Sequence, residues 1–281
     1  MKDIAKEEEI RKLVRENYAQ AVTKESSCCS PANSCCSSTQ EDISKSIGYT
    51  DEDISSVPDG ANLGLGCGNP VALASLKEGE VVLDLGSGAG FDCFLASDRV
   101  GSTGKVIGVD MTPEMVGRAR ENAVKGEYEN VEFRLGEIEN LPVADNHVDI
   151  VLSNCVINLV PDKRKVFREM NRVLKPGGRF MISDIVLERE LPEIILNSAS
   201  AYVGCVAGAS LKQDYMDMIR DAGFQEATIT EETSMSLDII LNDPTARAVL
   251  DNISLPEEEI KSAAESVKSI RVYGVKPVVN T

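Results

Sequence analysis

VVLDLGSGAG, residues 81–90, is the stretch that decides the fold. Val81-Val82-Leu83-Asp84-Leu85 is a short β-branched and aliphatic run, the pattern of a buried strand. It breaks into Gly86-Ser87-Gly88-Ala89-Gly90 and then into a helical pattern over 90–100. Glycines let the chain turn sharply and bring its backbone close to a ligand. The next strand, 105–110, ends in Asp110, a carboxylate placed to accept hydrogen bonds from two ribose hydroxyls. A dinucleotide fingerprint, Gly-x-Gly-x-x-Gly, would need a glycine where Phe91 stands.

The alternation of strand and helix continues outward. Thr112-Pro113-Glu114 opens a helix, with Thr112 at the N-cap and Pro113 at the first helical position. Strands are expected at 131–135, 148–153 and 179–186, and a helix at about 162–173 before the Pro176-Gly177-Gly178 turn. Beyond 190 the rhythm loosens, with helices at 211–222 and 255–268 and strands at 225–231 and 270–276. This spacing predicts an α/β protein with a doubly wound, seven-stranded, mostly parallel sheet and helices on both faces. Upstream, Ile4, Ile10, Leu13, Val14, Tyr18, Ala21 and Val22 form one apolar stripe on an otherwise charged helix over 3–22. Residues 23–42, rich in Ser and Cys, read as a mobile loop, and Gly60, Gly64, Gly66 and Gly68 mark a second loop near 57–70. The expected organisation is an N-terminal helix with cysteine-bearing loops over 1–70, a ligand-binding domain over 71–190, and a site loop plus completion of the fold over 191–281.

Composition narrows the function classes. The 281 residues are 42% hydrophobic, enough for a large core, and carry a formal net charge of −17. That balance argues against nucleic-acid partners and against docking on an anionic membrane, both of which need a basic surface. The N-terminus has no apolar core of a secretory signal, and no apolar run approaches the roughly 18 residues of a membrane span. A cytoplasmic protein, and a monomer, is expected. The single histidine, His147, sits in a polar turn and reads as a surface residue, so no structural metal is expected.

The cysteines carry the chemistry. They stand at 28, 29, 35, 36, 67, 93, 155 and 205. In a reducing compartment they read as ligands, redox participants or core residues rather than a disulfide framework. Open α/β sheets bind ligands at the C-terminal ends of their strands. Cys155 lies just past the fourth strand, Cys205 in a loop of small residues at 204–209, and Cys67 between Gly66 and Gly68. Cys93, early in a helix, reads as a core residue. No side chain stands out as a general base.

Four landmarks in order resemble the class I S-adenosylmethionine methyltransferases. They are Asp84 with the Gly86–Gly90 loop, Asp110, the Leu135–Pro142 segment, and the turn at 172–178. The resemblance implies S-adenosylmethionine as methyl donor, held by Asp84, Gly86, Ser87, Gly88, Gly90, Asp110, Met111 and Asn154, with Glu137 and Ile138 at the adenine edge. The stretches 153–162, 204–209, 86–93 and 66–68 resemble the arsenite methyltransferases more narrowly. That family resemblance implies that Cys67, Cys155 and Cys205 hold As(III), and that Cys28 or Cys29 completes a redox set with Cys67. It implies arsenite or its thiol conjugates as substrate, and a thiol reductant such as thioredoxin or a small thiol. Thiolates are the soft ligands a protein offers to soft As(III), and three of them leave a lone pair on arsenic to attack a methyl group. Ligand thiols must lose their protons, so affinity is expected to fall with pH. Two readings stay open: a methyltransferase for another small acceptor, organic or metalloid, and a metalloid-binding protein without turnover.

Overall fold

A computed structural model describes residues 2–24, 40–224, 226–234 and 256–278. The expected cysteine loop falls largely outside them, and with it Cys28, Cys29, Cys35 and Cys36. Helix α1 (Lys2–Lys24) precedes the gap, and α2 (Gln40–Ser46) and α3 (Asp51–Ser56) follow it. The ends of the stretch read as loop are therefore helical. A Thr50/Asp53 capping box opens α3, satisfying end amides that the helix cannot pair internally.

The expected strands and helices form close to where the hydrophobic pattern puts them, and short helices that the pattern did not indicate, at 70–73, 193–196 and 199–203, join them. They are α4 (Pro70–Leu73), β1 (Val81–Leu85), α5 (Phe91–Val100), β2 (Lys105–Asp110), α6 (Pro113–Lys125), β3 (Val131–Leu135), β4 (Val148–Asn154) and α7 (Lys163–Val173). Then come β5 (Leu174–Leu187), α8 (Glu193–Leu196), α9 (Ala199–Val203), α10 (Lys212–Asp221), β6 (Thr228–Ser234), α11 (Glu257–Ser266) and β7 (Val267–Val275). Thr112 caps α6 by its backbone position; its side chain makes no capping bond. Strand β5 starts earlier than the Pro-Gly-Gly turn implied. Its register against β4 jumps from Val148↔Leu174 to Ile150↔Arg179, so residues 175–178 bulge out within the strand.

The seven strands order as β3-β2-β1-β4-β5-β7-β6. The pairs among β1 to β5 are parallel, and β7 runs antiparallel to both β5 and β6. Alternate residues of each strand feed opposite faces. Leu83, Ile107 and Val151 pack with Phe167, Tyr215 and Ile219 under α7 and α10. Val82, Val106 and Ile150 pack with Phe94, Val116 and Ala119 under α5 and α6. Burying each such side chain contributes roughly 1.5–3 kcal/mol. Strand order reverses between β1 and β4, which opens a crevice at their carboxyl ends. Among the described residues, no helix is long and apolar enough to cross a membrane.

Candidate active site

The crevice is one cavity of about 1050 Å³ with two chemically different ends. At the first end, the loop after β1 folds over β2, with Gly86 and Ser87 donating their N–H groups to the carbonyl of Val109 (2.8 and 3.1 Å). Gly86 lies at φ +67°, and a Cβ there would come 2.5 Å from Val156, so glycine alone fits. Asp110 holds this loop closed by accepting from Gly88 N (2.9 Å) and Thr112 N (2.8 Å). Burial raises the pKa of the Asp110 carboxyl. Asp84 is buried and accepts a bond from the Cys93 thiol (3.2 Å). Burial, and then Asp92, push its pKa well above the ordinary carboxylate range, and a cationic partner would draw it back down. The Ser87 hydroxyl on this wall is buried without a hydrogen-bond partner. Such an orphan fits a ligand bearing polar groups.

Of the sequence-derived donor set, Asp84, Gly86, Ser87 and Gly88 line the cavity, as do Asp110, Met111, Ile138 and Asn154. Gly90 and Glu137 do not. Gly90 instead caps α5 at φ +98°, where a Cβ would strike the Phe94 and Phe133 rings at under 3 Å. Glu137 faces Arg11 of α1 (3.7 Å), and its neighbour Glu139 lines the wall and pairs with the same arginine (3.0 Å).

Three cysteines meet at the other end. Cys67, Cys155 and Cys205 line the same cavity, although 138 residues separate the first from the last. Cys155 and Cys205 both adopt left-handed backbone, at φ +58° and +63°. For residues with a Cβ this costs of order 1–3 kcal/mol and tends to collect at functional sites. Hydrogen bonds hold each in place: Cys155 N to Ser183 O (2.8 Å) and Cys205 N to Tyr202 O (3.0 Å). The Cys67 and Cys155 sulfurs and a carboxylate oxygen of Asp184 all lie within 4.8 Å of one another. The Cys205 thiol donates to the carbonyl oxygen of Cys155 at 2.9 Å.

This packing keeps the thiols protonated. Burial raises the Cys67 pKa. The Cys205 thiol draws Cys155 down, yet Cys67 and burial leave it well above the usual thiol value. Cys155, and then burial, do the same to Cys205.

Asn154, at the end of β4, joins the two ends. Its side-chain oxygen accepts from Cys67 N (3.0 Å), and its amide nitrogen donates to Gly68 O (2.8 Å), Tyr49 Oη (3.0 Å) and Asp92 Oδ2 (3.2 Å). The loop can approach this closely only through its glycines. A Cβ on Gly66 would sit 2.9 Å from the Asn154 side chain, and one on Gly68 would sit 2.6 Å from Ser183 Oγ. Tyr49 completes the knot by donating to Asp92 (2.6 Å). Asn154 thus lines the cavity with the other expected donor residues and also holds the Cys67 loop. Helix α1 covers the thiols, with Val14 buried and Tyr18 packed against the Cys155–Cys205 cluster.

Asp184 carried no signal in the sequence. It is fully buried and accepts from Asn158 (2.8 Å), Ile185 N (2.8 Å) and Tyr215 (2.9 Å). Desolvation nonetheless raises its pKa from the usual 3.8 to about 7. Between those values the folded chain binds more protons than the unfolded one, so this group's contribution to stability falls as pH rises from about 4 to about 7. Asp184→Asn is therefore expected to resist urea better than wild type at pH 8, by about 2–4 kcal/mol. The gap should shrink as pH falls toward 4, and a pH-independent gap would remove this account of the buried charge. Tyr49, Asp92 and Tyr18 were missed for the same reason as Asp184: they matter through contacts made across the chain.

Comparison with known proteins agrees with this geometry. A family model described as a methyltransferase domain matches residues 76–223, more than half of the chain. An arsenite methyltransferase of Halobacterium salinarum is 53% identical over 230 residues, covering 79% of this chain and 59% of the relative. The human arsenite methyltransferase is 40% identical over 169 residues, covering 57% of this chain and 44% of the relative. The chain thus spans less than two thirds of the length of these curated relatives. The crystal structure of an arsenic(III) S-adenosylmethionine methyltransferase from Chlamydomonas reinhardtii superposes with a TM-score of 0.61 at 30% identity, covering 85% of this chain and 74% of that one. With the sheet order, the glycine loop and these matches in agreement, the chain belongs to the arsenite S-adenosylmethionine methyltransferase family.

Proposed function

We propose that this chain transfers methyl groups from S-adenosylmethionine to As(III) held by Cys67, Cys155 and Cys205. The observation that carries the reading is the meeting of these three cysteines in the cavity whose other end is the Gly86–Gly88 cradle. Asp84 receives the cationic methionine end of the donor, Asp110 the ribose, and Ile138 packs at the adenine. The bound donor supplies an electrophilic methyl group on a sulfonium.

Three thiols displace three hydroxides from arsenite, and the thiol protons leave in the three waters formed. No net proton is released while the thiols stay protonated, as their raised pKa values favour. The expected loss of affinity at low pH is revised accordingly: binding should be nearly flat through neutrality.

The arsenic lone pair then takes the methyl, and the C–S bonding pair stays with the donor sulfur. No proton leaves the nucleophile, so no general base is required. Holding both reactants in line contributes up to roughly 7–11 kcal/mol. Arsenic is now formally pentavalent. A thiolate of Cys28 or Cys29 bonds to the Cys67 sulfur, and the Cys67–As bonding pair returns to arsenic as its lone pair. The resulting disulfide is reset by thioredoxin or a small thiol in a reducing cytoplasm. No structural metal takes part, and the chain acts as a monomer.

The deciding experiment incubates the chain with arsenite, labelled S-adenosylmethionine and a thiol, and separates the arsenic products. Labelled methylarsenicals are expected. Bound arsenic without label in the product would leave only sequestration. A panel of organic acceptors methylated faster than arsenite would reassign the substrate.

Asn154→Ala tests the positioning of Cys67. The loop loses two anchors, and arsenic is expected to show two sulfur neighbours rather than three by X-ray absorption. Methylation should fall about tenfold or more. Three sulfur neighbours in the variant would show that Asn154 does not set the loop.

A further inference from the structure

As(III) with three thiolates has a lone pair in its fourth direction and no use for a hard oxygen donor. Yet the ligand atoms that the fold gathers within 4.8 Å of one another are those of Cys67, Cys155 and Asp184. Zinc-type cations lack that lone pair and take four ligands from S, N and O, at about 2.3 Å for sulfur and 2.0–2.2 Å for oxygen. Ligand atoms around such a cation stand roughly 3.8 Å apart. The observed set lies within 4.8 Å, so side-chain shifts of about an ångström would close it.

Charge favours the same occupant. Two thiolates and one carboxylate carry −3, and a divalent cation leaves −1. Lys163 supplies opposing charge: its ammonium and the Asp184 carboxylate attract each other. Asp184 is already oriented by Asn158, Ile185 and Tyr215, as an outer shell orients a metal ligand. The Oδ2 atom accepts one bond, from Tyr215, which leaves it a lone pair to offer.

We propose that Cys67, Cys155 and Asp184, with Cys205 beside them, bind a thiophilic divalent cation of the Zn(II) type, which competes with As(III) for the site. The fourth position is filled by Cys205 or water. At pH 8, where Asp184 is already ionised, binding releases one proton from each of Cys67 and Cys155, and a third where Cys205 is the fourth ligand, whereas loading of arsenite releases none. The site is exchangeable and inhibitory. It rests on the donor geometry and not on methyl transfer, so it stands or falls separately from the function proposed above.

The test uses the full chain with Cys28, Cys29, Cys35 and Cys36 changed to Ser, so that no other thiol cluster competes. Reduced protein is titrated anaerobically with Co(II). At pH 8 a sulfur-to-cobalt charge-transfer band in the near ultraviolet is expected to saturate at one equivalent, with two protons released per cation for a water fourth ligand or three for Cys205. One equivalent of arsenite or Zn(II) should bleach it, and Cys155→Ser should abolish it. Asp184→Asn is expected to weaken Co(II) at least tenfold more than it weakens arsenite. The idea is overturned by absence of the band, by its survival in Cys155→Ser, or by equal losses for the two ligands in Asp184→Asn. Should Asp184→Asn fail to fold, loss or survival of the band in Cys67→Ser decides between the same outcomes. Parallel assay of the unaltered chain for arsenite methylation separates the two failures, since a methylating enzyme that binds no Co(II) removes only the cation site.

Discussion

Cys155→Ser is expected to lower arsenite methylation by at least about a hundredfold while S-adenosylmethionine affinity changes less than about threefold. Sulfur is replaced by an oxygen of nearly the same shape, so the left-handed turn at φ +58° and the bond to Ser183 O persist. What is lost is the soft ligand that neighbours both other thiols: the Cys67 and Cys155 sulfurs lie within 4.8 Å, and Cys205 donates to the Cys155 carbonyl. Arsenic with two sulfur ligands keeps an oxygen in the third place and is a poorer, less oriented nucleophile. Two powers of ten correspond to about 2.7 kcal/mol of transition-state stabilisation. The measurement pairs product speciation with calorimetric donor binding. Wild-type turnover in Cys155→Ser would remove the trithiolate argument, and loss of donor binding would assign Cys155 to the other end of the cavity.

Asp110→Ala is the second large effect, and it falls on the donor. The Asp110 carboxylate already satisfies Gly88 N and Thr112 N, and with those bonds the glycine loop stands closed over β2. Alanine leaves two amides without their acceptor and takes away the carboxylate proposed to meet the ribose. Hydrogen bonds to a charged acceptor are worth about 1.5–3 kcal/mol each. Affinity for S-adenosylmethionine is therefore expected to fall about a hundredfold, with arsenite binding to the thiols changed far less. Asp110→Asn keeps one acceptor oxygen and should lie between. Calorimetry on the three proteins checks the order. Unchanged donor affinity in Asp110→Ala would show that the loop holds itself closed.

The sequence alone determined what depends on neighbours along the chain. Alternating strand and helix patterns placed seven strands within a few residues, because each pattern reflects local spacing of apolar side chains. The glycine loop after Leu85 and the carboxylate at Asp110 were legible because a sharp turn and a strand end have short-range signatures. Where local chemistry misled, competing geometry was the cause: Pro176-Gly177-Gly178 read as a turn and became a bulge within β5.

Tertiary structure decided everything that depends on distance across the chain. It separated Ile138 and Glu139, on the cavity wall, from Glu137, which pairs with Arg11. It tied Asn154, on the cavity wall, to the Cys67 loop 87 residues away. It set Asp184, an ordinary carboxylate in the sequence, beside two thiols in a dry interior. Such roles arise from which side chains the folded sheet brings together and how far it desolvates them, and no periodicity along the chain encodes either.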